Sequence, residues 1–412
     1  MLPLEGFRIL DLSRFLSGPY CTMVLAELGA DVIKLEQPTA GDDSRRFAPK
    51  IGGESYPGVM PHRSKRSICV DLKTDEGRAV FLDLVRDADA VIENFRPGVV
   101  KKLGIDYESV REIRPDIIYC SISGFGQSGP YKHRPGFDIM AQGICGFMRM
   151  TGDGERPAKI GIAINDIAAG ATAIYSILAA HIQRTRTGEG EYMDISIVEA
   201  GLAWAVWESG AYFASGEVPQ ATGTRHRRSA PYQAFRTADG FVTIGAPNDR
   251  LWERLATGAF HRPEWLEDPR FATLSDRMTN LDELEAEIET ITTSKTTDEW
   301  IEIIDAVGVP CGPVLTFDQT LEDPQIVSRG MVAEVNHPII GPMKMIAPPT
   351  KFANIDYSVR NPAPWVGQHT TDVLRESGMS EEQIEELYEK GVLYNAHPEL
   401  NTTVAATAST LR

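Results

Sequence analysis

The sequence predicts an α/β fold in two domains, on three observations. Its 412 residues exceed what one hydrophobic core normally organises. Residues 7–123 alternate short apolar runs with helical spacing, as parallel strands joined by helical crossovers do. Composition shifts after Gly216 to a polar, basic loop and then an acidic helical stretch, and the earlier style resumes near residue 326. The expected boundaries are therefore 1–219 plus 326–412 for a discontinuous large domain, and 220–325 for a smaller α/β domain.

The elements follow in order. Phe7–Ser13 (FRILDLS) is an apolar strand, Ser17–Pro19 a turn, and Cys21–Leu28 a buried helix with Gly29 at its C-cap. Asp31–Glu36 is the next strand, which makes a right-handed βαβ unit. Ile68–Leu72 reads as a strand, Thr74–Asp87 as a helix with an acidic start, Asp89–Asn94 as a strand, and Pro97–Leu103 as a helix opening. Asp116–Ser123 is a strand that runs into the loop GFGQSGP. A long helix rich in small residues follows from Asp166 to Arg184. Glu191–Ala200 is a strand leading into an apolar helix with Trp204, Trp207, Tyr212 and Phe213. That aromatic stripe reads as core or as a subunit interface. Asp239-Gly240 marks a hairpin, residues 250–305 are helical and acidic, and Val309–Val314 is a short returning strand. The tail NTTVAATASTLR has few large apolar groups and reads as loosely ordered.

Composition excludes several classes. No run approaches the roughly 20 apolar residues of a membrane span, and the N-terminus lacks a secretory pattern, so no membrane partner is expected. Five cysteines without a CxxC pair argue against a disulfide framework or structural zinc, and for a reducing, cytoplasmic setting. A formal net charge of −17 speaks against nucleic acid as a partner. Basic residues are nevertheless dense at Arg63, Lys65, Arg66 and Lys73, and again at Arg96, Lys101 and Lys102. The eight histidines are isolated, so no metal site is expected. The opening βαβ unit has Glu36 where an acid can hold a ribose. It lacks the three-glycine fingerprint of dinucleotide binding, since Gly18 stands alone.

Carboxylates remain as the reactive groups. Asp166, in GIAINDIAAG, lies between a strand-like apolar segment and the small-residue helix. An acid there is ordinarily a helix N-cap. It can equally be a nucleophile toward an activated acyl group, since small neighbours leave room for a thioester. Asp138, in RPGFDIMAQ, carries the same two readings.

Several segments in order carry a resemblance. They are LDLSRFLSGPYCTMVLAELGADVIKLEQP, SKRSICVDLKTDEGR, VIENFRPGVVKKLGID, SISGFGQSGPYKHRPGFDIMAQG, Asn165-Asp166, and APYQAF followed by DGFV. Together, from Leu4 to about Leu393, the chain resembles the class III CoA-transferases, the formyl-CoA transferase and carnitine CoA-transferase (CaiB–BaiF) family. The resemblance implies a Rossmann-like large domain, a small α/β domain, and two subunits interlocked as a dimer. It implies an enzyme with coenzyme A as substrate and no tightly bound cofactor. Asp166 matches the family's catalytic aspartate, which passes through aspartyl-acyl anhydride and aspartyl-CoA thioester intermediates. Val70, Asp71, Leu72, Lys73, Asn94, Phe95, Arg96 and Lys102 match positions along the nucleotide and pantetheine path. Leu16 and Ser17 match a turn whose backbone N–H groups face the thioester carbonyl. Pro135, Gly136, Phe137 and Asp138 match residues flanking the thiol end.

Departures narrow the expectation. Formyl-CoA transferases have Gln where Leu16 stands, which argues for a larger acyl group than formyl or oxalyl. A CoA-contacting Arg of that branch is Gln37 here. The glycine-rich loop of that branch is replaced by TGTRHRR (Thr222–Arg228), whose cations either hold an acceptor carboxylate or form a solvated loop. Related branches use succinyl-CoA as donor, and some pair two paralogous subunits, so a heteromer is the alternative to a homodimer. Three rivals remain. An acyl-CoA racemase of the same superfamily needs His before the Asp of a GHD motif, where this chain has Phe137, which cannot relay a proton. A non-catalytic CoA-binding protein does not need Asp166. A nicotinamide-dependent oxidoreductase lacks its glycines.

Overall fold

Apolar runs along the first half of the chain form one parallel sheet. The computed structural model describes residues 2–396. The tail 401–412, with the order expected of it, and His397 lie outside the described residues. The sheet contains β1 (Arg8–Asp11), β2 (Asp31–Glu36), β3 (Arg66–Cys69), β4 (Ala90–Glu93), β5 (Ile118–Ser123) and β6 (Glu191–Ser196). Their order is β3-β2-β1-β4-β5-β6, and each neighbouring pair is parallel. The chain moves outward from β1 to β3 and restarts on the other side with β4. In open α/β sheets such a reversal leaves a crevice beyond the carboxyl ends of the strands, where ligands bind.

Both faces of the sheet are covered, which is why its strands read as continuous apolar runs. Successive residues point to opposite faces. Ile9, Val32, Ile92 and Ile122 pack with α1 (Ser17–Glu27) and α5 (Ile164–Thr187). Leu10, Ile33, Val91 and Tyr119 pack with α2 (Asp75–Val85) and with Val373, Leu374 and Ile384 from late in the chain. Between these lie α3 (Val99–Leu103) and α4 (Asp138–Ile144). The small residues of α5 let it lie directly on α1. A Cβ added at Gly170 would stand 2.6 Å from the Ser17 carbonyl oxygen.

The chain divides into two compact units. One holds Met1–Gly146, Ile160–Ser215 and the described chain from Val327 on; the other holds Phe147–Lys159 and Gly216–Ile326. The sequence boundaries of 1–219 plus 326–412, and 220–325, leave residues 147–159 in the large domain. In the structure these residues group with the second unit. Gly223 N–H donates to the Gly152 carbonyl (2.8 Å) and Arg227 to the Met150 carbonyl (3.1 Å). Such pairing onto backbone carbonyls leaves no hydrophobic period to read. The second unit has an antiparallel sheet of Tyr232–Arg236, Phe241–Gly245 and Cys311–Pro313. The hairpin at Asp239-Gly240 and the returning strand occur as the sequence indicated.

In the first unit, β6 leads through Ile197–Leu202 to the helix Val206–Ser215. Trp207 is 78% exposed and Phe213 81%. Their stripe is therefore not core within this chain. No helix among the described residues is long and apolar enough to cross a membrane.

Candidate active site

Asp166 occupies the third position of α5, after Ala163 at the N-cap and Ile164 and Asn165 in the first turn. The preceding segment forms no strand, and Ile162 in it is exposed. The cap expected of Asp166 comes instead from Asp138, whose Oδ1 accepts the Asn165 backbone N–H (2.9 Å). The Asp138 Oδ2 accepts from Gln142 (2.7 Å). With the helix end served from α4, Asp166 is left without a hydrogen-bond donor among the described residues. Burial pushes its carboxyl up to about 7, and Asp138 adds to the rise. The positive end of α5 acts in the opposite direction. The loop bearing Asp138 is seated by backbone contact: a Cβ at Gly136 would lie 2.7 Å from the Gly124 Cα, and the reverse holds too.

Gly170 follows Asp166 by one turn, so the two share a face of α5. That face meets the start of α1. Leu16 is the N-cap of α1 and Ser17 its first residue. Neither of their N–H groups has a partner among the described residues. Asn94 clamps the turn that precedes them. Its Oδ1 accepts Arg14 N–H (2.7 Å), and its Nδ2 donates to the Arg14 carbonyl (2.7 Å) and to Ser17 Oγ (3.3 Å). Asn94 thus shapes the turn. Phe15 has φ +63°, a left-handed conformation costing a bulky residue about 1–2 kcal/mol. Its ring meets Phe137 edge-on at 6.0 Å.

A cleft of about 420 Å³ opens at the carboxyl ends of β1, β2 and β3. Val70, Asp71, Leu72, Lys73 and Phe95 line it, together with Leu12, Arg14, Gln37, Val99 and Leu103. Arg96 and Lys102 are exposed and are not among the lining residues. Lys102 lies on α3 between the lining residues Val99 and Leu103. Sequence reasoning missed Arg14, whose guanidinium lies over the Phe95 ring at 5.1 Å. Arg14 joins the cleft to the Leu16 turn two residues later. Glu36 also lines the cleft, but its carboxylate is occupied by Arg45 (2.8 and 2.9 Å), Ser67 (2.6 Å) and the Asp42 N–H (2.9 Å). No oxygen is left over to hold a ribose.

In the second unit the basic loop divides. Arg225 pairs with Asp282 (2.7 Å) and Glu285, and Arg227 donates to the carbonyls of Met150 and Gln220. Arg228 is exposed, and its side chain has no partner among the described residues. Two of the three arginines are therefore structural.

Comparison with known proteins agrees with the fold. CoA-transferase family III matches residues 4–370. The mouse succinyl-CoA:glutarate CoA-transferase is 36% identical over 397 residues, covering 95% of this chain and 91% of that protein. The succinate–glutarate CoA-transferase of Agrobacterium fabrum is 36% identical over 386 residues, covering 91% of this chain and 95% of that protein. A crystal structure of a CaiB/BaiF family protein from Brucella suis matches with a TM-score of 0.83 at 37% identity, covering 91% of this chain and 99% of that one. The chain belongs to CoA-transferase family III, and it is an enzyme of that family.

Proposed function

We propose that the enzyme moves CoA between short dicarboxylic acids through covalent intermediates on Asp166, with succinyl-CoA as donor. The observation that carries this reading is the carboxylate of Asp166: partly buried, undonated, and placed on the face of α5 that meets the start of α1, where the N–H groups of Leu16 and Ser17 are free. A carboxylate Oδ attacks the donor thioester carbonyl, the C–S bond breaks, and CoA leaves as thiolate with an aspartyl-acyl anhydride behind it. The thiolate attacks the Asp166 carbonyl of that anhydride, releasing the donor acid and forming an aspartyl-CoA thioester. The acceptor carboxylate attacks this thioester and frees the thiolate again. The thiolate then attacks the acceptor's carbonyl, giving acceptor acyl-CoA and the free Asp166 carboxylate. Backbone N–H groups at Leu16 and Ser17 suit the oxyanion formed at each attack. The dicarboxylate class follows the names of the mouse and Agrobacterium relatives and the apolar Leu16.

The cleft suits the nucleotide end of CoA. Val70, Leu72 and Phe95 offer apolar surface, and Lys73 and Arg14 offer cations to phosphate. Arg14 supplies a charge that Gln37 does not. Arg14→Ala and Lys73→Ala should each raise KM for acyl-CoA about 5- to 20-fold, with kcat within about 3-fold, in steady-state kinetics. Unchanged KM in both would place CoA elsewhere. Exposed Trp204, Trp207 and Phe213 support the dimer reading. Trp207→Glu should lower the sedimentation coefficient to that of a monomer; a monomeric wild type would rule the dimer out.

The deciding experiment is peptide mass spectrometry after mixing the enzyme with succinyl-CoA and quenching in hydroxylamine. A hydroxamate at Asp166 is expected. An unmodified Asp166 during steady turnover would refute the covalent route.

A further inference from the structure

A charged cluster lies beneath the Phe15 turn, apart from the cleft chemistry. Asp11, Lys34, Asp42 and Lys65 are all buried. Lys34 Nζ lies 3.7 Å from Asp11 and 3.4 Å from Asp42, and donates to the Ser13 carbonyl. Lys65 Nζ donates to Asp11 (3.0 Å), to Thr22 (2.7 Å) and to the Pro19 carbonyl (3.0 Å). Asp11 Oδ1 accepts both the N–H (2.9 Å) and the hydroxyl (2.5 Å) of Ser13. Asp42 Oδ1 accepts the N–H of Phe15 (3.0 Å) and of Ser44 (2.9 Å). His62 Nε2 stands 3.6 Å from Asp42 Oδ2.

These contacts make a chain of control over three consecutive residues. Ser13 is held by Asp11 and Lys34, Arg14 by Asn94, and Phe15 by Asp42. Phe15 is the residue that resists, since an aromatic side chain at φ +63° is disfavoured unless its surroundings over-determine it. The next two residues present the free N–H groups of α1. A side chain that fixes the φ of Phe15 therefore fixes where those donors point. Lys34 fixes Asp42 in turn, and the cluster is too deeply buried to touch a substrate itself.

We propose that Asp42 is a positioning residue for CoA transfer, holding Phe15 in its left-handed conformation through the Asp42 Oδ1 to Phe15 N–H bond so that the Leu16 and Ser17 N–H groups face the thioester oxygen. This rests on the reading of Asp166 as nucleophile. It assigns a function to Asp42, in the GDDSRR segment (Gly41–Arg46).

The test compares variants that differ in tolerance of positive φ but share loss of the Phe15 ring. Asn adopts the left-handed region and Val does not. In single-turnover acylation by succinyl-CoA, Phe15→Val should slow hydroxylamine-trappable adduct formation at Asp166 about 30-fold or more relative to Phe15→Asn. CoA affinity should agree within about 3-fold between the two. Asp42→Ala should show a similar loss. Phe15→Gly with Asp42→Ala should recover most of the rate of Phe15→Gly alone, since glycine needs no external hold. A purely structural role for Asp42 would lower stability without this rescue of rate. Should Asp42→Ala fail to fold, the Val and Asn pair still tests the step the proposal needs, that a left-handed residue 15 sets the donors, because it leaves the buried charges intact. Equal acylation rates in Phe15→Val and Phe15→Asn overturn the proposal. Absence of any adduct in the wild type overturns the Asp166 reading instead, so the two failures are separable.

Discussion

Asp166→Ala is expected to lose CoA transfer by about ten-thousand-fold or more while still binding CoA within about 3-fold of wild type. The size follows from what the carboxylate replaces. Without it, acceptor acid must attack the thioester directly. That forfeits the effective molarity of a nucleophile held on α5, an advantage of several kcal/mol. Binding should survive because Arg14, Lys73, Val70 and Phe95 line a cleft that does not include Asp166. Turnover assays and calorimetric titration with CoA measure the two effects. Transfer within tenfold of wild type would remove Asp166 from the covalent role; loss of CoA binding would show that it shapes the cleft.

The acylation rate should climb with pH and level off above pH 7. The nucleophile must be ionised, and burial with Asp138 nearby raises the Asp166 carboxyl to about 7. Below that value the rate should fall roughly tenfold per pH unit. Asp138→Asn keeps an acceptor for the Asn165 N–H while removing the neighbouring charge. It should move the midpoint downward, though only in part, because burial is the larger cause. A profile flat between pH 5 and 8 would show a carboxylate already ionised throughout. The same shift has a consequence for stability. The folded protein holds the Asp166 proton more tightly than the unfolded chain does. Its contribution is therefore fully present below the unfolded value of 3.8 and is lost as pH rises through about 7. At pH 8 the folded enzyme bears an ionised, partly buried carboxylate. Asp166→Asn should then stabilise it by about 1–3 kcal/mol, read as a raised Tm.

Much of the parallel sheet was legible because its strands are buried on both faces and so stand out as apolar runs. The strand read at Ile68–Leu72 instead forms at Arg66–Cys69, with Val70–Lys73 freed to line the cleft. The apolar segment before Asp166 misled for a related reason: Ile162 is apolar but exposed. Asp166 itself was marked by small neighbours and by resemblance, whereas its freedom from capping was not. That freedom depends on Asp138, 28 residues earlier, reaching across to α5. The charged cluster was harder still. Asp11 and Lys34 interrupt apolar strands, a visible oddity, but their pairing with Asp42 and Lys65 exists only once the strands are side by side. Arg96 and Lys102 show the converse: basic density in sequence does not establish which cations line a pocket.

The meeting of Gly124 and Gly136 bears on how the enzyme's substrate range can change. Because backbone touches backbone there, either position closes to any larger residue unless the two loops part. The loop bearing Phe137 and Asp138 thus rests on a hard stop. If Leu16 and Phe137 border the acyl group as the proposed function has it, substitutions there should alter acyl preference while the glycine contact that seats the Phe137 loop stays fixed. A library aimed at new acids should spend its diversity on those two positions and leave both glycines alone.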